Sequence, residues 1–231
     1  MRIEIFGCLA IAVALAGSAS AYDAQDPRNC TGVEWNDARP LAAFEVRGGP
    51  RVHFVKSPYD DDFKAATCPS HSDGCRKESF LVAGDLALAG KTSGDFTCVA
   101  YQSPLDARQT WTVGWLPSAA LAPVAPAPAP SVADWTGDWR HPGGHVEIAD
   151  RGGKLSVAGG MTLPTPAGDY QNGEFHARVA PGAALAFVDE GDYGDNCRVR
   201  MQRVGAWLMV EDNGGCGGAG VTFTGLYRRG P

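Results

Sequence analysis

Three patterns are missing from the sequence, and each absence excludes a class of protein. Beyond residue 21 no apolar run reaches the ~20 residues that a membrane-spanning helix needs. Apolar residues at helical spacing are nearly absent from both halves, which argues against an α-helical fold. No Gly-x-Ser-x-Gly sequence or other catalytic constellation is recognisable. We therefore expect a protein that is not an enzyme, has no catalytic residues and uses no cofactor.

The first 21 residues have the three parts of a secretory signal peptide. Arg2 is the basic start, residues 5–16 form the apolar run, and small residues lead to a cleavage site after Ala21. We therefore predict that residues 1–21 are a signal peptide and that the remaining chain is periplasmic or secreted, with no membrane span.

Cleavage after Ala21 removes Cys8, so the exported chain keeps an even number of cysteines. They are Cys30, Cys68, Cys75, Cys98, Cys197 and Cys216. An even number in an exported protein predicts a disulfide framework. Zinc binding is the alternative, but the sequence has no Cys-x-x-Cys pair and its histidines do not cluster with the cysteines. We expect no metal site.

The positions of the first four cysteines suggest how they pair. Cys68 and Cys75 flank a loop of turn-forming residues and are expected to pair with each other. Cys30 would then pair with Cys98, although four cysteines allow three connectivities and the others stay open.

A predicted hairpin brings the last two cysteines together. Cys197 begins a segment that alternates apolar and polar residues, residues 206–210 form a second strand, and Gly205 marks the turn. Folding at Gly205 places Cys216 near Cys197, which predicts the third disulfide.

A proline-rich segment divides the chain. Residues 123–134 contain alternating alanine and proline, which favours extended polyproline II and a semi-rigid spacer. An irregular surface loop inside one domain is the alternative. The spacer interpretation gives domains at residues 22–122 and 135–231. The net charge of −6 is spread over both, so neither offers a basic face for nucleic acid.

Both halves consist of short apolar runs that are separated by glycine and proline turns. This pattern predicts an all-β fold, with a small barrel or sandwich in the first half. In the second half about eight strands follow one another at close spacing, which suits an up-and-down antiparallel barrel without free edges.

Two groups of polar residues resemble metal-binding motifs. His141 and His145 have the spacing of a helical metal pair, but the Pro-Gly-Gly between them favours a turn. The acidic residues 189–195 lack the bidentate glutamate of a calcium loop and are interpreted as a solvated turn, with a loose Ca²⁺ site as the alternative.

The first half resembles a bacterial SH3-type domain over about residues 45–122. The resemblance rests on the opening strand 52–54, the segments 82–85 and 94–101, and the closing Gly114-Trp115-Leu116. It implies a module that binds a peptide or cell-wall ligand.

The aromatic surface that this resemblance implies is formed by Tyr101 and Trp111, with Tyr59, Asp60 and Asp61 on the adjoining loop. A bound cation or a solvated loop are the two interpretations of the acidic residues. Trp115, in the closing motif, is a third candidate for this aromatic surface, but a position in the core is the favoured interpretation.

The second half resembles small lipocalin- or avidin-like barrels and the C-terminal β-domains of proteobacterial envelope proteins. The resemblance rests on the opening Trp-x-Gly-x-Trp of residues 135–139 and the closing Gly-x-Tyr-Arg-Arg of residues 225–229. Some exported proteins with such domains inhibit lysozyme. Arg198 and Arg200 share one face of a strand, where they could hold a carboxylate at a barrel mouth or simply face solvent.

Together these features predict an exported, non-enzymatic binding protein that engages a cell-wall or peptide ligand through the SH3-like module. Its expected partner is a cell-wall peptide or an extracytoplasmic protein. The alternative is an inhibitor of a secreted lytic enzyme, such as lysozyme, that acts through the C-terminal β-domain.

Overall fold

The computed structural model describes residues 22–103, 111–165 and 167–230. The predicted signal peptide, residues 1–21, lies outside these ranges. Within them the chain forms two antiparallel sheets and only short helical segments. The predicted all-β fold is confirmed.

The first sheet has seven strands in the order β3-β2-β6-β5-β4-β1-β7. The strands are β1 (Ala42–Val46), β2 (Val52–Val55), β3 (Arg76–Leu81), β4 (Leu86–Ser93), β5 (Phe96–Gln102), β6 (Trp111–Pro117) and β7 (Leu121–Val124). Helical turns occur at α1 (Asp60–Phe63), Asp73–Cys75 and Ser118–Ala120. Ser93 pairs with Phe96, and Gly94 makes the intervening two-residue turn with a φ of 54°, which favours glycine.

Two disulfides and a buried tryptophan hold the first domain together. Cys30 is bonded to Cys98 and Cys68 to Cys75, as predicted. Trp115 is fully buried beside both disulfides, which confirms the prediction that it is a core residue.

The second sheet has eight strands in the order β11-β10-β9-β8-β15-β14-β13-β12. The strands are β8 (Gly137–His141), β9 (Gly144–Asp150), β10 (Leu155–Pro164), β11 (Tyr170–Val179), β12 (Ala184–Val188), β13 (Arg198–Val204), β14 (Trp207–Asp212) and β15 (Gly225–Arg229). The helical turns here are α2 (Val132–Trp135) and Gly194–Asn196. Neighbouring strands follow each other in the chain, and β15 pairs with β8, so the sheet is a nearly closed up-and-down barrel.

Side chains and loop backbone cover the seam between β11 and β12. Asp189 is buried and accepts hydrogen bonds from the backbone N–H groups of His176 (2.7 Å) and Tyr193 (2.9 Å). On the same strand the Glu174 N–H donates to Cys216 O at 3.0 Å, next to the predicted Cys197–Cys216 disulfide, which is present. The interpretation of residues 189–195 as a solvated turn is therefore wrong for Asp189, which supplies acceptors that a strand partner would otherwise provide.

The barrel interior is filled. Its core consists of apolar side chains from the barrel strands and the segments around them: Trp135, Trp139, Val146, Ile148, Leu155, Val157, Met161, Phe175, Leu185, Val199, Met201, Leu208, Val210, Val221, Phe223 and Tyr227. Trp139, from the opening motif, donates its indole N–H to Trp135 O at 2.9 Å. These side chains fill the space between the strands, as in other small barrels.

The two domains pack against each other through a separate apolar cluster. Leu41 and Leu88 of the first domain meet Val204 and Met209 of the second, and all four are buried. Trp111 packs against the same cluster. The contact buries the outer face of β14. Both faces of this strand are therefore buried, one in the barrel core and the other against the first domain.

The proline-rich segment follows this packed surface. Pro123 lies in β7, an edge strand, where the missing N–H of proline is tolerated. Ala127 N–H donates to Arg203 O of the second domain at 2.7 Å, and Ser131 caps α2. Residues 123–134 are therefore tied to the structure at several points and do not hang free between the domains.

Candidate functional site

A cavity of about 550 Å³ lies between the two domains. From the first domain it is lined by Asp85, Leu86, Leu88, Tyr101, Gln102 and Trp111, among others. From the second it is lined by residues that include Arg140, His141, Trp207, Leu226 and Arg228. The end of β5 and the start of β6 border one side of this space. The β8–β9 hairpin, the start of β14 and the strand β15 border the other.

Two of the predicted ligand-binding residues form the first-domain wall. Gln102 pairs with Trp111 across β5 and β6, which brings the end of β5 beside Trp111. The hydroxyl of Tyr101 donates to Asp85 Oδ1 at 3.4 Å, and the other carboxylate oxygen of Asp85 accepts the Val82 N–H at 2.9 Å. Burial raises the pKa of Tyr101, and the negative charge of Asp85 raises it further. The phenol therefore stays protonated and can donate a hydrogen bond.

Two arginines and a tryptophan form the second-domain rim. Arg140 and Arg228 stand directly opposite each other on β8 and β15. Arg140 Nε donates to Asp138 at 2.7 Å, whereas the Arg228 guanidinium lies 4.3 Å from the ring centre of Trp207. One cation is thus neutralised by a carboxylate and the other rests on an aromatic face.

His141 is a partly buried residue on the wall of the cavity. Its Nδ1 lies 3.1 Å from Pro142 O, so this nitrogen carries the proton and Nε2 is left as an acceptor. The ring stacks on Tyr227 with centroids 4.7 Å apart. Burial lowers the pKa of His141 to about 4, so it is neutral at pH 7. The β8–β9 turn confirms the prediction that His141 and His145 are not a helical metal pair.

Two residues that line this cavity carry three buried polar atoms without a hydrogen-bond partner in the described ranges. They are Nε2 and Oε1 of Gln102 and Nε2 of His141. Buried polar atoms are nearly always paired, because an unmade hydrogen bond in the interior costs about 1–3 kcal/mol. These atoms are closed off from the cavity space, and Nε2 of His141 lies against Gly225 of β15.

A second cavity of about 530 Å³ lies on the other side of Trp111. Trp111 and Ala100 line both cavities, and the second is otherwise bordered by the segment 31–35 and by Asp212, Thr222 and Thr224. Asp212 is occupied by its own domain, since it accepts the N–H groups of residues 223 and 224 at 2.9 and 3.0 Å.

The predicted loop residues Tyr59, Asp60 and Asp61 lie away from both cavities. Asp60 pairs with Lys77 at 2.8 Å and Asp61 pairs with Lys56 at 2.6 Å. The side chain of Tyr59 contacts Asp26 and the ring of Tyr22. The cationic partners of this acidic loop are therefore lysines of the same domain.

Arg198 and Arg200 contact the first domain and do not line a barrel mouth. The Arg200 guanidinium lies 3.8 Å from the ring centre of Trp35 and pairs with the buried Glu211 at 2.8 Å. Arg198 pairs with Asp37 at 2.7 Å. Both arginines therefore pair with carboxylates of the chain itself.

Sequence reasoning missed most of the cavity. Tyr101 and Trp111 came from the SH3 resemblance, but Gln102, His141 and Arg228 were not selected as ligand-binding residues. They meet only because the two domains pack together. One local signal was available, namely the continuous apolar run 207–210, which is typical of a strand buried on both faces.

Three further observations concern metal binding, membrane-spanning helices and disulfides. No group of three or more histidine, cysteine or acidic side chains that could hold a metal ion occurs in the part of the chain that the structure describes. In the same part, no helix is long and apolar enough to cross a membrane. The three disulfides are typical of proteins that fold outside the reducing cytoplasm.

Comparison of the chain with family models, with curated proteins and with solved structures found no match. The SH3-like and lipocalin-like resemblances therefore stay predictions.

Proposed function

We propose that this protein is an exported, non-enzymatic binding protein that takes a small ligand into the interdomain cavity. The ligand class is a cell-wall fragment or a short peptide. The observation that carries the proposal is the cavity itself. Its volume of about 550 Å³, its aromatic walls and the few polar side chains among them, such as Arg140 and Arg228, are properties of ligand sites.

The SH3-like module supplies half of this site. Tyr101 and Trp111, the aromatic residues that the resemblance selects, lie on the wall of the cavity. The periplasm or the exterior of the cell is the compartment that agrees with the disulfides and with the signal-like N-terminus. The acidic net charge of −6 favours no nucleic-acid partner.

The test is isothermal titration of the chain from residue 22 with soluble fragments of digested peptidoglycan and with a mixture of short peptides. We expect saturable binding to one of the two. Replacement of Trp111 by leucine should weaken it by about tenfold or more, because tryptophans at the centre of a binding site contribute more than about 1 kcal/mol.

Tyr170→Leu is the matched control, because this aromatic side chain is 65% exposed and lies on the barrel away from the cavity. Its binding should equal that of the parent chain, and circular dichroism verifies that both variants are folded. Absence of binding to either ligand mixture, or equal binding by Trp111→Leu, would contradict the proposal.

The filled barrel supports a second candidate function. A barrel without an internal site can act only through its surface, as an inhibitor of a secreted lytic enzyme would. Exposed Tyr170 and Val188 are apolar surface that could meet such an enzyme. Lysozyme activity measured with excess chain from residue 22 tests it, and full activity at micromolar protein would exclude this candidate.

A further inference from the structure

The six tryptophans of the chain fall into two groups. Three are fully buried in the cores of the two domains: Trp115, Trp135 and Trp139. The other three are partly exposed, and each lines an interdomain cavity: Trp35, Trp111 and Trp207. Aromatic rings at the wall of a cavity are typical of ligand sites, so the second group is the one to examine for binding.

These three rings follow one another across both cavities. Trp207 lines the first cavity, Trp35 lines the second, and Trp111 lines both. The volumes are about 550 and 530 Å³, and each cavity alone has the size of a site for one small ligand. Because the cavities adjoin at Trp111, a ligand that is long enough to occupy both meets the three rings in turn.

Trp35 is held in position from outside the second cavity. The guanidinium of Arg200, which lies outside the described lining of this cavity, is 3.8 Å from the ring centre of Trp35. The indole N–H of Trp35 donates to Asp37 Oδ1 at 2.9 Å. These contacts fix the ring and leave the cavity that it borders open to a ligand.

Four polar side chains of the second cavity are engaged within the barrel domain. The hydroxyls of Thr222 and Thr224 both donate to Asp212. The amide of Asn213 donates to one backbone carbonyl and accepts one backbone N–H, both at 2.9 Å. These side chains are satisfied without a ligand, so the aromatic rings are the main contact surface of this cavity.

Such walls suit a sugar better than a peptide. The C–H groups on the face of a sugar ring carry partial positive charge and are attracted to the negative face of an indole. The hydroxyls around the edge of the ring keep their water. An extended peptide has an N–H and a carbonyl at almost every residue, and burial of these groups without partners opposes binding. Nucleic acid bases would also stack, but the net charge of −6 opposes a polyanion.

We propose, on the basis of the function inferred above, that the two cavities form one extended site for a linear glycan. Neighbouring sugars of the chain stack on Trp207, Trp111 and Trp35 in succession. The ligand is therefore a chain of several sugars, and a single sugar or disaccharide fills only part of the site.

The experiment is isothermal titration of the chain from residue 22. The probes are the hexamer and the dimer of the chitin chain, the hexamer and the dimer of the cellulose chain, and the mixture of short peptides. We expect at least one hexamer to bind about tenfold or more tightly than its dimer, because a chain that occupies one cavity reaches the other at high effective concentration. The peptides should bind more weakly than this hexamer.

Two variants remove rings from different cavities. Trp35→Leu and Trp207→Leu should each weaken hexamer binding by about tenfold or more. Trp35→Phe keeps a ring and should restore most of the affinity. Phe80→Leu is the matched control, because Phe80 is also an exposed ring with a guanidinium 4.4 Å from its centre, but it lies on β3 outside the described lining of both cavities. Its affinity should equal that of the parent chain, and far-UV circular dichroism verifies that each variant is folded.

The outcomes are distinct. Equal affinity for hexamer and dimer, or a loss of binding with only one of the two leucine variants, would overturn the extended site. Tighter binding of the peptides, or no hexamer binding when peptidoglycan fragments bind, would overturn the glycan inference while the proposed binding function stands. Absence of binding with every probe, the peptidoglycan fragments included, would overturn both.

Discussion

Met209 provides the sharpest test of how the two domains are joined. It lies on the outer face of β14, between the barrel-core residues Leu208 and Val210, and it packs in the interdomain cluster with 3% of its surface exposed. If the domains were independent, this side chain would face solvent, and its replacement by alanine would change the free energy of unfolding by less than about 0.5 kcal/mol. In the packed arrangement the same change should cost about 2–5 kcal/mol.

Urea unfolding followed by tryptophan fluorescence measures this difference. With a slope of about 2 kcal/mol per molar urea, the lower end of the expected loss moves the midpoint down by about 1 M. Val188→Ala is the control, because Val188 is an apolar barrel residue with 41% exposure, and its midpoint should stay within about 0.25 M of the parent. A Met209→Ala midpoint equal to that of the control would refute the packed interface.

Two further predictions concern pH. Burial alone would raise the pKa of Asp189, but backbone N–H groups, that of His176 first, hold it below the usual value of 3.8. Its contribution to stability is therefore present above pH 3.8 and is lost as the pH falls through the folded-state pKa. Asp189→Asn should remove this acid-sensitive part of the stability, and parallel pH profiles of the two proteins in urea unfolding would contradict the prediction. Burial lowers the pKa of His141 from 6.5 to about 4. As the pH falls from 6.5 towards 4, the unfolded chain is protonated before the folded one, and about 3 kcal/mol of stability is lost. NMR titration of the imidazole should give a midpoint near 4, and a midpoint near 6.5 would show that the ring is not buried.

The elements of the fold follow from local sequence, and they were predictable. Alternation in residues 197–202 and the turn at Gly205 are sufficient to place Cys197 beside Cys216. The short loop between Cys68 and Cys75 leaves those two cysteines little choice of partner. Strand period and turn chemistry act over a few residues, so a single sequence contains them.

The arrangement of the domains was not predictable by the same reasoning. Alternating alanine and proline in residues 123–134 has the same sequence pattern whether the segment hangs free or lies along a packed surface. Nothing in the sequence around Arg200 indicates that its partners are Trp35 and Glu211. These contacts join residues that are far apart in the chain, and their strength depends on burial that only the folded interface creates.

The residues of the cavity could not be predicted from the sequence for the same reason. Trp111 and Arg228 approach the same space from different domains, and nothing near either residue in sequence identifies the other. Unpaired buried atoms, such as those of Gln102, become visible only after every neighbour has been placed.

The most direct test of a binding site shared by the two domains is a map of NMR shifts over the whole chain from residue 22, recorded with the peptidoglycan fragment or peptide mixture that binds in calorimetry. The account predicts that the largest shifts come from both walls of the cavity, with Tyr101 and Trp111 on one side and His141 and Trp207 on the other. Shifts confined to one domain, or centred on the acidic loop at Asp60, would contradict it.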